Sequence, residues 1–169
     1  MLAVVSDTHS VRGHELEGRT LQAVREADMV IHAGDFMRAE VVDSFEEVSR
    51  TLQGVYGNND DEAIRERLPA ARTVEYEGFR FAVTHRVRGG PTELTLFGRE
   101  RDADAVIYGH SHNHAVDTDG ELPLINPGSH AQPRGYRKAH AELEPTEEGL
   151  AGRLVTPNNY VIEEFTPTQ

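Results

Sequence analysis

The sequence predicts an α/β fold, two sheets packed face to face with helices outside, and three observations predict it. From Leu2 to Tyr56 short apolar runs alternate with stretches of helical period. Around Glu77-Gly78 the pattern becomes two short strands flanking a turn. From there to Phe165, strand-like runs outnumber helical ones. At 169 residues the chain predicts a single domain, 1–169, long enough to bury a substantial core.

Leu2-Ala3-Val4-Val5-Ser6 reads as a buried strand ending at Asp7. Glu15 to Ala27 places Leu16, Leu21, Val24 and Ala27 among charged residues, so a helix is expected. Met29-Val30-Ile31-His32-Ala33 is a second strand, stopping at Gly34-Asp35. Ala39 to Arg50 is a second helix, carrying Val41, Val42, Phe45 and Val48. Leu52 to Tyr56 is a third strand and runs into Gly57-Asn58. Arg72–Tyr76 and Phe79–Thr84 form the hairpin, and Pro91 opens a helix reaching Arg101. Ala103 to Tyr108 is a strand that delivers Gly109-His110-Ser111-His112. His114–Thr118, Leu122–Ile125, Ala139–Glu144, Gly149–Thr156 and Tyr160–Phe165 complete the strand predictions.

The polar islands at the ends of these runs carry the chemistry. They are Asp7-Thr8-His9, Gly34-Asp35, Gly57-Asn58-Asn59-Asp60, Thr84-His85 and Gly109-His110-Ser111-His112. In open α/β sheets, sites form outside the carboxyl ends of strands. Singly, an Asp or Asn there is turn and cap chemistry; five such islands together supply ligands for two adjacent divalent ions. With an extended backbone, Asp7 and His9 project to one side and grip one ion. A carboxylate at Asp35 can bridge two ions, Asn58 offers a carbonyl oxygen, and His85, His110 and His112 offer imidazoles. Mixed oxygen and nitrogen donors suit manganese, iron, zinc or nickel better than calcium. Two ions about 3.5–4 Å apart are a device for phosphate-ester hydrolysis, in which a bridging water is deprotonated to hydroxide. Gly34, Gly57 and Gly109 let the backbone turn sharply and come close to ions or substrate.

The string D-T-H, G-D, G-N-x-D, T-H, G-H-S-H resembles the calcineurin-like metallophosphoesterase superfamily, closest to its small bacterial and archaeal phosphodiesterases, relatives of the retromer scaffold subunit. Asn126-Pro127-Gly128-Ser129 and Pro133-Arg134-Gly135 support the same subgroup. The resemblance covers residues 1 to about 135. It implies a four-layer α/β/β/α sandwich of two mixed sheets flanked by helices. It also implies two divalent ions, manganese first, with nickel, iron, cobalt or zinc as alternatives. Asp7, His9, Asp35 and His112 would hold one ion, and Asp35, Asn58, His85 and His110 the other. Asn58, Asn59, Asp60 and His85 are the candidate catalytic residues, with Asp60 expected to orient a neighbouring ligand.

Two departures from the family's pattern shape the functional expectation. Many relatives place His, as general acid or oxyanion stabiliser, where this chain has Asn59, which cannot supply a proton at neutral pH. A phosphodiesterase acting on a small, activated phosphate ester is therefore expected over a strong phosphomonoesterase. Where relatives often show glycine after the Thr-His pair, this chain has Arg86-Val87-Arg88. Arg86 and Arg88, with Asn59, are candidate substrate contacts, because guanidinium binds phosphate bidentately. Two alternatives remain: a catalytically weak scaffold or interaction module on the same fold, and a metal hydrolase for an amide or thioester bond.

The remaining histidines read differently. His32, inside an apolar strand, is expected to be a core residue, and His14, His114, His130 and His140 surface or supporting groups. A net charge of −12 argues against general nucleic-acid binding, which needs a basic face. Lys138 is the only lysine among 17 basic residues, consistent with high internal salt or a GC-rich genome. There is no cysteine, no 18-residue apolar run and no basic leader before Leu2, so a cytoplasmic protein is expected.

Overall fold

The computed structural model describes residues 1–167. Within them the first half comprises β1 (Leu2–Val5), α1 (Gly18–Glu26), β2 (Met29–His32), α2 (Ala39–Val48), β3 (Leu52–Gly54), α3 (Glu62–Arg67), β4 (Ala71–Tyr76) and β5 (Phe79–Thr84). Then follow α4 (Pro91–Arg99), β6 (Ala105–Ile107), β7 (Ala115–Asp117), β8 (Leu124–Asn126), β9 (His140–Thr146), β10 (Gly149–Val155) and β11 (Val161–Phe165). A six-stranded sheet has the order β11-β10-β9-β1-β2-β3, and a five-stranded sheet the order β4-β5-β6-β8-β7. Both are mixed. In the first, β1, β2 and β3 are parallel, with Leu2 opposite Met29 and Val30 opposite Leu52, while β9 runs antiparallel to β1. In the second, β5, β6 and β8 are parallel, and β4 and β7 close the edges antiparallel.

Alternation along β1 explains the layering. Leu2 and Val4 point between the sheets, where they join Ile31, Phe81, Val83, Ile107, Ile125, Leu143 and Leu154 in the central core. Ala3 and Val5 point the other way, into a second core formed with Val24 of α1, Val41 and Phe45 of α2 and Ile64 of α3. On the far face of the second sheet, Leu94 of α4 packs with Ala82, Val106 and Leu124. The result is the expected α/β/β/α sandwich. No helix among the described residues is long and apolar enough to cross a membrane.

Two differences from the expected elements have plain causes. α3 shows no helical period because it buries a single apolar residue, Ile64, and is anchored by its N-cap instead: Ile64 N donates to Asp61 Oδ1 at 3.0 Å. α1 starts at Gly18, three residues beyond Glu15, because Glu17 just before it is extended, with φ −140° and ψ 158°.

The helix-facing side of β9 holds a buried charge. Glu142 is fully buried and accepts from Arg19 Nε at 2.7 Å, Arg19 Nη2 at 2.8 Å, Arg153 Nη2 at 2.6 Å and His140 Nε2 at 2.8 Å. His140 was expected at the surface or beside the site; it is wholly buried, with its Nδ1 3.0 Å from Thr20 Oγ1. Burial alone would raise the Glu142 pKa, but hydrogen bonds from His140, Arg19 and Arg153 outweigh it and hold the carboxyl well below its usual range. The folded-state value is depressed, so the stabilisation is complete above the ordinary glutamate value of about 4.5 and is lost as pH falls below it. Glu142→Gln is expected to cost roughly 2–3 kcal/mol at pH 7, since both arginines lose their carboxylate. In thermal melts the gap between variant and parent should close as pH is lowered through that range; a constant gap would contradict the assignment.

Candidate metal centre

The five islands meet where the carboxyl ends of the two sheets come together. Asp7 and His9 follow β1, Asp35 follows β2, Asn58 follows β3, His85 follows β5, and His110 and His112 follow β6. Backbone hydrogen bonds join the loops: Asp7 N to Gly34 O at 2.9 Å, His9 N to Asp35 O at 3.0 Å, and Gly109 N to His85 O at 3.0 Å. Asp7 and His9 do converge, but not through the extended backbone expected of them. Their φ angles are 54° and 46°, and Asp35, His110 and His112 are left-handed too, at 63°, 74° and 61°. Left-handed backbone at a residue with a side chain costs of order 1–3 kcal/mol and clusters at functional sites.

Around this strained backbone the donor atoms are close together. His9 Nε2 lies 3.7 Å from Asp7 Oδ1 and 3.0 Å from Asp35 Oδ2. His112 Nε2 lies 3.4 Å from Asp7 Oδ1, and His85 Nε2 lies 3.3 Å from Asp35 Oδ2 and 3.0 Å from Asn58 Oδ1. Asp7, His9 and His112 form one group with all donor atoms within 4.8 Å, and Asp7, Asp35 and His85 form another. Asp7 is common to both groups, and Asp35 Oδ2 is within reach of both His9 Nε2 and His85 Nε2. His110 belongs to neither group; its ring stands edge-on to that of His85 with centroids 5.3 Å apart.

The surrounding hydrogen bonds fix which atoms face inward. His85 Nδ1 donates to Ala33 O at 2.7 Å and His112 Nδ1 donates to Gln132 O, since a carbonyl can only accept. Each ring thus turns Nε2 inward, the orientation that ligating histidines need. Asp7 Oδ2 accepts from Ser6 Oγ at 2.7 Å and His110 N at 2.9 Å. Asp60 accepts from Asp35 N at 3.0 Å, Gly57 N at 2.7 Å and Met37 N at 2.7 Å, so its carboxylate braces the loop rather than facing the other donors. Asn59 donates its backbone N–H to Asp35 Oδ1 and its side-chain amide to Asp35 Oδ2, both at 2.8 Å.

The glycines matter here chiefly for close approach. A Cβ on Gly57 would lie 2.1 Å from Asp35 Oδ1, and one on Gly109 would lie 2.1 Å from Ser6 Oγ. Only Gly34, at φ 95°, also needs left-handed backbone. Ser129 Oγ donates to Asp7 O at 2.7 Å and Asn126 Nδ2 donates to Gly109 O at 3.2 Å, so the Asn-Pro-Gly-Ser turn supports the ligand loops. Thr8 Oγ1 lies 2.8 Å from His32 Nε2 and 2.9 Å from His130 Nε2. His130 is 1% exposed, a supporting group and not a surface one.

The chemistry of these atoms fits divalent ions. Asp7 Oδ1, His9 Nε2 and His112 Nε2 are buried and accept or donate no hydrogen bond. Orphaned buried polar atoms are rare, and one cation would satisfy all three. Donors about 2.0–2.2 Å from a metal with tetrahedral or octahedral angles sit roughly 3–3.6 Å apart, close to the separations seen. Burial opposes charge on His9, but the nearby carboxylates of Asp35 and Asp7 outweigh it and push its pKa up to about 9. His85 is raised on the same balance, mainly through Asp35, whose own carboxyl is held far below the usual range by His85 and His9 despite burial. Burial lowers His110 and His112, and Arg86 presses further on His110.

The candidate substrate contacts separate. Arg86 is exposed and lines a cavity with His85 and Asn58, while Arg88 is exposed outside that lining. The same cavity reveals a residue that sequence reading missed. Arg65, on the unforeseen α3, donates to Asp60 O at 3.1 Å, Gly57 O at 3.3 Å and Asn58 O at 3.2 Å. Its one sequence signal was a basic residue shortly after the Asn-Asn-Asp island.

Residues 1–148 match the family model described as the calcineurin-like phosphoesterase superfamily domain. A probable metallophosphoesterase of Methanocaldococcus jannaschii is 31% identical over 160 residues, covering 92% of this chain and 80% of its own. A phosphodiesterase of the same organism is 28% identical over 138 residues, covering 75% of this chain and 82% of its own. Among solved structures, wild-type Vps29 of Entamoeba histolytica, described as complexed with zinc, superimposes with a TM-score of 0.78 at 20% identity, covering 97% of each chain.

Two outcomes test the site. Asp60→Ala leaves three backbone N–H groups without their acceptor and is expected to cost about 2–4 kcal/mol in denaturant unfolding while weakening divalent-ion binding; unchanged ion binding would contradict its bracing role. His9 holds its proton below about pH 9, and an incoming ion needs that lone pair. Ion affinity should therefore climb with pH up to about that value and flatten above it, with proton release on binding; calorimetry in buffers of different ionisation enthalpy reads both.

Proposed function

The chain belongs to the calcineurin-like phosphoesterase superfamily, and on that premise we propose that it cleaves phosphodiesters at a centre of two divalent ions. The family is metal-dependent and the relatives are metallophosphoesterases and phosphodiesterases, which makes this chain a phosphoester hydrolase. The observation that carries the finer reading is Asp35 Oδ2, 3.0 Å from His9 Nε2 and 3.3 Å from His85 Nε2, beside three orphaned donor atoms.

Asp7, His9, Asp35 and His112 would hold one ion and Asp35, Asn58, His85 and His110 the other, with manganese our first choice and nickel, iron, cobalt or zinc as alternatives. Two such ions supply Lewis acidity to phosphoryl oxygens and acidify a water near neutral pH. The protein's own contribution is placement. Asn59 clamps both oxygens of Asp35 through its two N–H groups, so the shared carboxylate keeps one orientation. The carbonyls of Ala33 and Gln132 keep the Nε2 atoms of His85 and His112 turned inward. Arg86, in the cavity beside His85, would bind a phosphate group of the substrate.

No acid stands where many relatives place histidine. Asn59 has its amide committed to Asp35 and no proton to give. Leaving groups that depart as stable anions are therefore favoured, which suits activated diesters above monoesters. The alternative of a weakly catalytic interaction module has fold likeness behind it, and the presence of all seven ligand-type residues in the sequence weighs against it.

Hydrolysis of a chromogenic phosphodiester by the manganese-loaded chain is the direct test; no turnover with manganese, nickel, cobalt or zinc would leave the interaction module as the better reading. Asp35→Asn is expected to lower kcat/KM by roughly 10³-fold, about 4 kcal/mol of barrier, and to reduce the number of bound ions. Near-normal turnover with two ions bound would sink the shared carboxylate. Asn59→His should raise the monoester-to-diester ratio if a missing acid limits the rate.

A further inference from the structure

The cavity that opens from the ligands toward α3 differs in charge from its surroundings. It measures about 430 Å³ and is lined by Tyr56, Gly57, Asn58, Arg65, Ala70, Thr84, His85 and Arg86, with no carboxylate among them. Four other cavities of this surface each include at least one glutamate, through Glu17, Glu15, Glu142 or Glu75. In a chain with 29 acidic against 17 basic residues, a cavity lined by two arginines and no acid is suited to an anion. Its size falls within the usual range for ligand pockets, roughly 300–1,000 Å³.

The two arginines come from opposite walls. Arg65 rises from α3 on the side of the first sheet, and Arg86 follows β5 of the second. Arg65 spends Nε and Nη2 on the carbonyls of the Asn58 loop and lies 4.8 Å over the Tyr56 ring, which fixes its plane. Its Nη1, and the whole guanidinium of Arg86, enter no hydrogen bond or ion pair among the described residues. His85 and Asn58 belong both to the cavity wall and to the donor set above. A substrate whose reacting phosphoryl sits at that donor set can therefore extend one of its alcohol groups into this cavity.

We propose that the cavity is a subsite for a second phosphate, so that the preferred substrate is a phosphodiester one of whose alcohols carries a further phosphate group. This rests on the function proposed above for the position of the reacting phosphoryl; the anion-binding property of the cavity does not. Arg86 and the free edge of Arg65 converge on the second phosphate from two sides, and a charge-assisted hydrogen bond is about twice as strong as a neutral one. The Tyr56 ring offers an apolar wall to whatever links the two phosphates.

The test has two arms. With the manganese-loaded chain, kcat/KM is compared for a dinucleotide bearing a 5′-phosphate and for the same dinucleotide without it. The parent is expected to favour the phosphorylated one by roughly tenfold or more, equivalent to about 1.4 kcal/mol. Arg65→Met should bring that ratio toward one. Because Arg65 also holds the Asn58 loop, Ala70→Glu serves as a second variant: it puts a carboxylate into the cavity and leaves both arginines in the sequence. In the second arm, calorimetric binding of inorganic phosphate to the metal-free chain should weaken about tenfold in both variants. A parent ratio near one, or phosphate binding indifferent to both substitutions, overturns the subsite. Retained, arginine-dependent phosphate binding with no turnover of any diester would count against the hydrolase and not against the anion site.

Discussion

The architecture of the site depends on one close approach, that of the Gly57 loop to the carboxylate of Asp35. With only a hydrogen on its Cα, Gly57 lets the loop come near enough for Asn59 to reach both oxygens of Asp35. From below, Asp60 ties the backbone N–H groups of Asp35, Gly57 and Met37 together. The carboxylate is thereby fixed before anything binds to it, and His9 and His85 approach it from loops of different sheets. Preorganisation of this kind means that the cost of bringing like-charged and desolvated groups together is met by folding and not by binding.

That cost is visible in the backbone. Five donor-bearing residues stand in left-handed conformation, and the loops that carry them have no regular structure of their own. They are held by the sandwich beneath, whose two sheets share a core running from Leu2 and Val4 to Phe81, Ile107 and Leu143. Behind the loops, buried polar groups replace apolar packing: Thr8 between His32 and His130, Ser129 on Asp7 O, Asn126 on Gly109 O. A half-satisfied network there would be worse than none, which accounts for the density of small polar residues in this part of the core.

Much of this was legible in the sequence. Apolar runs ending in Asp, Asn or His marked the strand ends, because a strand that stops at a polar residue beside glycine must emerge at the sheet edge. The division of alternate residues between two cores was legible only in part: Leu2 and Val4 face one core and Ala3 and Val5 the other, but a run of four apolar residues shows no alternation. α3 was missed because it buries only Ile64, and Arg65 was missed with it. The extended reading of Asp7 and His9 failed because local periodicity says nothing about left-handed residues imposed by neighbouring loops. Pairing of the late strands was beyond local patterns altogether.

That last pairing has a consequence for how the chain acquires its shape. β1 is an interior strand, with β2 on one side and β9 on the other, and Val4 lies opposite Ala141. The matched family region ends at residue 148, so β10 and β11, which cover β9 in turn, lie beyond it. On a ribosome, β1 (Leu2–Val5) emerges well before β9 (His140–Thr146), so it waits for everything between them before its second neighbour exists. Until then one flank of β1 is an unpaired edge of the sort that recruits foreign strands. High contact order of this kind slows folding, and a dense negative charge keeps such waiting chains apart.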